Sequence, residues 1–175
     1  MYRENLNLLK IIQFGNPILS RIADPILNID EKIINLANNM IFTMHTAPGI
    51  GLAAPQVNHS LRLITVDLSL GENQKDLIVL ANPEILDKEG EHLQEEACLS
   101  VPIFAENVTR PFRCSVKGIN LEGKEKIIDA EGLQARVFFH EIDHLDGKLF
   151  IDRLSPLKRN LIRKRLKKQL ENRIS

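Results

Sequence analysis

The chain has 175 residues, 43% of them apolar and 26% charged, with 23 basic and 23 acidic side chains. That length and balance suit a soluble globular protein of one domain with a hydrophobic core of its own. No apolar run approaches the roughly 20 residues that cross a bilayer, which excludes a helical membrane span.

The first stretch, "MYRENLNLLKIIQF", mixes charged and apolar residues and has no small-residue cleavage site of a signal peptide. It predicts a cytoplasmic protein. In such a reducing compartment the two cysteines, Cys98 and Cys114, are read as a ligand or nucleophile and a buried thiol rather than as a disulfide.

Residues 28–49, "NIDEKIINLANNMIFTMHTAPG", space Ile33, Ile34, Ala37, Met40, Ile41 and Met44 as one helical face, with Asp30 as N-cap and Pro48-Gly49 as a stop. "PGIGLAAPQ", residues 48–56, comes next. Its glycines at alternate positions allow another backbone to come close, and its lone amide, Gln56, suits an oxyanion donor. Taken singly, the stretch is equally a Gly-rich loop between helix and strand. "LRLITVDL", "DLIVLANPEIL" and "RCSVKGINLEGKEKIIDAEG" read as strands, the last a hairpin around Glu122-Gly123. A second helix runs from Glu131 to about Leu145 and stops at Gly147. Strands set between two or three helices give an α+β domain.

The tail predicts a third helix, with Leu157, Leu161, Ile162, Leu166 and Leu170 on one stripe. Residues 158–175 hold eight of the 23 basic side chains and one of the acidic ones, leaving 15 basic and 22 acidic residues in 1–157. A basic tail on an acidic body points to an anionic partner; a solvated helix packed on its own domain is the alternative.

The second helix carries "FFHEIDHLDG". His140 and His144, four residues apart, project from one helical face, a spacing that can hold a divalent metal at about 2.0–2.1 Å. Glu141, beside the first histidine, is placed to act as a general base without ligating. Two ordinary helix histidines are the plainer reading of the motif alone. A third ligand is needed. Downstream the choices are Asp146, Asp152 and Glu171; upstream, "EEACLSVP" offers Cys98 where a strand ends. A thiolate with two imidazoles leaves an open position and suits Zn or Fe(II). Cys98 is therefore the preferred ligand, while Cys114 in "FRCSVKGI" reads as a small buried hydrophobe.

Taken together and in order, "GIGLAAPQ", "EACLS" and "HEIDHLDG" resemble the three motifs of the peptide deformylases. "QFGNPILSRIADPI" is similar to that family's N-terminal segment and "GKLFIDRLSP" to the segment after its metal helix, so the likeness runs from about Lys10 to Pro156. The resemblance implies antiparallel or mixed sheets packed around a central metal-binding helix, flanked by an N-terminal and a C-terminal helix. It implies one catalytic domain over residues 1–156, with 157–175 as its basic amphipathic C-terminal helix. Its function would be removal of the formyl group from N-formylmethionyl peptides of newly made chains. Cys98, His140 and His144 would hold the metal, natively Fe(II) and replaceable by Zn or Ni. Glu141 would move the proton, and Gln56 with the backbone N–H of Leu99 would form the oxyanion hole. Gly49, Ile50 and Gly51 would pair with an extended substrate, and Leu133 and Val137 would line the methionine pocket. The basic tail resembles a helix that docks at the ribosomal tunnel exit; neither membrane nor DNA is an expected partner.

The sequence departs from the family pattern at three positions. Ala97 stands where Gly is usual, which predicts extended backbone there; Phe139 replaces Gln and is expected to point away from the metal face; Ala105 replaces an Arg of many bacterial relatives. Glu96 and Arg110 are expected to form a supporting ion pair. Two other classes compete: a general zinc endopeptidase, disfavoured by the lack of a downstream ligand, and a ribosome-associated binding protein with a degenerate site.

Overall fold

The computed structural model describes residues 6–174. Residues 1–5 and 175, within the expected domain bounds, and the side chain of Arg173, counted in the basic tail, lie outside the described part.

Helix α1 spans Glu31–Thr46, and Asp30 caps it by accepting a 2.9 Å hydrogen bond from the N–H of Ile33. Its apolar face buries Leu36, Ala37, Met40 and Met44. Strand β1, Gly51–Ala53, and a 3-10 turn, Ala54–Val57, come after it, so the Gly-rich stretch passes from a turn at residues 48–50 into a short strand. Strands β2, Leu63–Val66, and β3, Ile78–Glu89, come next, and then β4, His92–Cys98, and β5, Val101–Arg110. The β6–β7 hairpin, Arg113–Ile119 and Glu125–Glu131, turns through Glu122-Gly123 as expected.

The strands form an antiparallel five-stranded sheet in the order β1-β2-β3-β6-β7 and a separate hairpin, β4-β5. Among the described residues the one parallel pairing is an isolated bridge, Asp24 to Leu61. Helix α2, Gly132–Leu145, lies against the large sheet, touching β1, β2, β6 and β7. Ala135, Phe138 and Leu145 are fully buried there with Ile64, Val66 and Val116. Burying one Phe of this kind is worth about 1.5–3 kcal/mol, which holds α2, and the motif on it, against the sheet.

The end of α2 is fixed by backbone chemistry. Gly147 sits at φ +68, just past the helix, where a side chain would be strained, and a Cβ would come within 2.8 Å of the Ser20 carbonyl carbon. The chain then makes a 3-10 turn, Phe150–Arg153, and enters α3, Pro156–Ile174. In α3 the buried face is narrower than the sequence stripe. Ile162 and Leu166 are buried against Leu149, Phe150 and Ile151, whereas Leu157 is 81% exposed and Leu161 50% exposed. Helical periodicity alone does not reveal where the body ends beneath a helix, so the first turn of α3 extends past its support.

Candidate metal centre and substrate cleft

The motif on α2 meets the end of β4. Cys98 Sγ lies 3.2 Å from His144 Nε2, and one ligand atom from each of Cys98, His140 and His144 lies within 4.8 Å of the others. A tetrahedral ion with one Zn–S and two Zn–N bonds holds its ligand atoms about 3.6 Å apart. The donor set fits such an ion: a buried thiol and two imidazoles converge on one point. His144 Nδ1 is buried and has no hydrogen-bond partner among the described residues.

His140 is oriented from behind. Its Nδ1 lies 3.0 Å from Glu96 Oε2, which turns Nε2 toward the site. Glu96 is buried and also accepts from Arg110 Nε at 2.9 Å, Arg110 Nη2 at 3.0 Å and Arg136 Nη1 at 2.6 Å. Burial alone would raise its pKa, but the hydrogen bonds from His140 and Arg110 outweigh it and hold Glu96 at about 2. The expected Glu96–Arg110 pair thus exists, inside a larger network. Arg110 Nη1 donates to Asp143 at 2.5 Å, and Asp143 also binds Arg153. The sequence reading missed Asp143, Arg153 and the bonds of Arg136. A signal was present, since one buried carboxylate cannot neutralise two arginines, and "HEID" supplies a second one a helical turn beyond His140.

Glu141 is 4% exposed, and its Oε2 has no partner among the described residues. Burial pushes its carboxyl up to about 7; His140 opposes that shift and the nearby Glu96 adds to it. Gln56 is held by its carbonyl end, where Oε1 accepts the Ala53 N–H at 2.8 Å. Its Nε2 therefore faces the site, 3.5 Å from Cys98 Sγ and 3.3 Å from Ser100 Oγ.

These groups open onto a cleft of about 450 Å³ between β1 and the β4–β5 hairpin. Gly49, Ile50, Gly51, Gln56, Cys98, Leu99, Leu133, Val137, His140 and Glu141 all line it. His144 alone of the expected site residues does not, being buried behind the others. Ala97 is in β4 opposite Ala105, extended as expected, and Phe139 packs half-buried on the core rather than toward the cleft. The register skips three residues between the Ala97–Ala105 and Cys98–Val101 pairs, which bends the hairpin where it delivers the thiol.

Comparison with known proteins decides the family. The family model described as Polypeptide deformylase matches residues 8–160. The chain belongs to the polypeptide deformylase family. Peptide deformylase from Thermodesulfovibrio yellowstonii is 52% identical over 160 residues, covering 91% of this chain and 97% of that one. A crystal structure of a peptide deformylase from Legionella pneumophila superposes with a TM-score of 0.88 at 43% identity, covering 96% of this chain and 98% of the other. That of the Ehrlichia chaffeensis peptide deformylase in complex with actinonin has a TM-score of 0.85 at 33% identity, covering 93% and 98%. Deformylases are metallohydrolases, and the three converging ligand atoms form a potential metal site in this member. Among the described residues no helix is long and apolar enough to cross a membrane.

Proposed function

We propose that the cleft hydrolyses the formyl amide of N-formylmethionyl peptides, with Cys98, His140 and His144 holding one divalent metal, Fe(II) in the native protein and Zn or Ni as substitutes. The observation that carries this reading is the convergence of three ligand atoms within 4.8 Å beside a buried carboxyl, in a chain of the deformylase family. The ion, when bound, supplies Lewis-acid polarisation and makes a water acidic enough to deprotonate near neutral pH.

The protein's own groups do the rest. Glu141, buried beside His140 with its Oε2 lacking a partner among the described residues, takes the proton from the attacking water and returns it to the leaving amine. Gln56 Nε2, fixed by the Ala53 N–H, and the Leu99 N–H donate to the oxygen that becomes negative as the formyl carbon turns tetrahedral. Strand β1 is an edge of its sheet, so its open side at Gly51, continued by Gly49 and Ile50 just before it, pairs with the extended peptide. Leu133 and Val137 receive the methionine side chain. The catalytic domain is assigned to residues 1–156, with α3 completing it.

The test is formate release from formyl-Met-Ala-Ser after loading with Fe(II), Ni or Zn, beside unformylated Met-Ala-Ser and an internally cleavable peptide. Formate release alone is expected; internal cleavage would indicate an endopeptidase instead.

A second reading concerns α3. Ile162 and Leu166 hold it to the body, and Lys164, Lys167 and Lys168 stand on its exposed side. Such a face suits rRNA phosphates at the ribosomal tunnel exit in the cytoplasm. Co-sedimentation with ribosomes should weaken with salt and be lost on deleting 157–175; binding indifferent to both would refute it.

A further inference from the structure

Gln56 reaches the site from one wall of the cleft and Cys98 from the other, and residues 12–14 tie the two walls together from behind. The Ile12 N–H donates to the Gln56 carbonyl at 2.8 Å, and the Phe14 N–H donates to the Ser100 carbonyl at 2.8 Å. Phe14 itself packs on the core cluster that holds Cys98 and Val101. Leu99 and Ser100 make the turn between β4 and β5, closed by the pairing of Cys98 with Val101. One short segment thus sets the spacing between Gln56 and Ser100 through main-chain bonds, which neither side chain supplies.

Across that spacing Ser100 turns its hydroxyl on Gln56. Ser100 is fully buried, and its Oγ accepts from Gln56 Nε2 at 3.3 Å. A primary amide nitrogen has two N–H groups. With Oε1 committed to the Ala53 N–H, one N–H of Gln56 is taken up by Ser100, and the other lies toward Cys98 Sγ at 3.5 Å. The bond to Ser100 fixes the plane of the amide. The second N–H rests on sulfur, a weak acceptor that a formyl oxygen displaces. Ser100 does not line the cleft, so it acts on the reaction only through Gln56.

We propose that Ser100 is a positioning residue: its hydroxyl holds the Gln56 amide so that one N–H stays aimed at the oxygen that becomes negative. This rests on reading the cleft as a deformylase site. Losing a whole oxyanion donor costs about 10²–10³-fold in kcat. Losing one neutral hydrogen bond that orients the donor costs about tenfold. The formyl oxygen gains its charge only on the way to the tetrahedral state, so the loss falls on kcat and leaves KM alone.

The experiment is a double-mutant cycle on the metal-loaded protein with formyl-Met-Ala-Ser, using Ser100→Ala, Gln56→Ala and the pair. Ser100→Ala is expected to keep its metal, lower kcat about tenfold and leave KM within about twofold. In the Gln56→Ala background the same change is expected to leave kcat unaltered, since no amide remains to be oriented. An undiminished kcat in Ser100→Ala, or the same loss in both backgrounds, overturns the proposal. Proton NMR of the unaltered, Zn-loaded protein needs no variant to fold: one Gln56 amide proton should show a nuclear Overhauser contact to the Ser100 β-protons. Its absence would also overturn the proposal. No formate from formyl-Met-Ala-Ser in the unaltered protein would instead overturn the underlying activity.

Discussion

Gly51 on β1 faces Glu141 on α2 across a gap too small for a methyl group: a Cβ at Gly51 would overlap the Glu141 carboxyl and come within 2.8 Å of Val137 Cγ1. The glycine is thus needed for the close approach of the substrate strand to the base, not for an unusual backbone angle. Gly51→Ala is expected to push Glu141 off its position and lower kcat/KM by about 10²-fold, as misplacement of about 1 Å does, while metal content stays at one per chain. Steady-state kinetics with metal analysis checks this.

Among the described residues Glu141 has no hydrogen bond through Oε2 that a substitution would break. Glu141→Ala is expected to keep its metal and its fold but lose about 10²–10⁴-fold in kcat. Retained turnover with metal bound would remove Glu141 from the reaction.

Glu96 supports Arg110, Arg136 and His140 at once, so its removal should be felt twice. Glu96→Gln leaves Arg110 and Arg136 short of a buried carboxylate, expected to cost about 3–5 kcal/mol of stability, and it weakens the support of His140, expected to lower metal affinity about 10–100-fold. Urea unfolding of the metal-free protein and competition with a chelator separate the two effects.

Asp67 offers a pH-dependent stability readout away from the metal. Its buried carboxylate accepts from the Ser69 Oγ at 2.6 Å, the Ser69 N–H at 2.9 Å and the Gly71 N–H at 3.0 Å, with His45 Nε2 at 2.8 Å. Burial alone would raise its pKa; these bonds outweigh it and lower the pKa below 3.8. A lowered carboxylate stabilises the fold fully above pH 3.8, and that contribution fades as pH falls through the depressed folded value. The stability difference between the unaltered protein and Asp67→Asn should therefore shrink as pH falls below 3.8. A difference that grew as pH fell below 3.8 would contradict the sign.

Much of this fold was legible because local signals agreed with the tertiary ones. Asp30 before an apolar-periodic run marks α1, and His140 and His144 at i, i+4 need only a helix to share a face. The motif order then placed Cys98 beside them. The hidden part depends on contacts between distant segments. The bonds of Arg136 to Glu96, Val108 O and His92 O span 28–44 residues of sequence. No periodicity encodes them. Likewise, Leu157 and Leu161 fit a helical stripe yet stay exposed, because burial depends on the surface beneath the helix.

X-ray absorption at the metal edge of the loaded protein tests the central claim most directly. One sulfur and two imidazole nitrogens are expected around the ion, with the sulfur shell lost in Cys98→Ser. A shell of oxygen and nitrogen alone, or a sulfur signal that survives Cys98→Ser, would contradict the convergence of Cys98, His140 and His144 on a single ion.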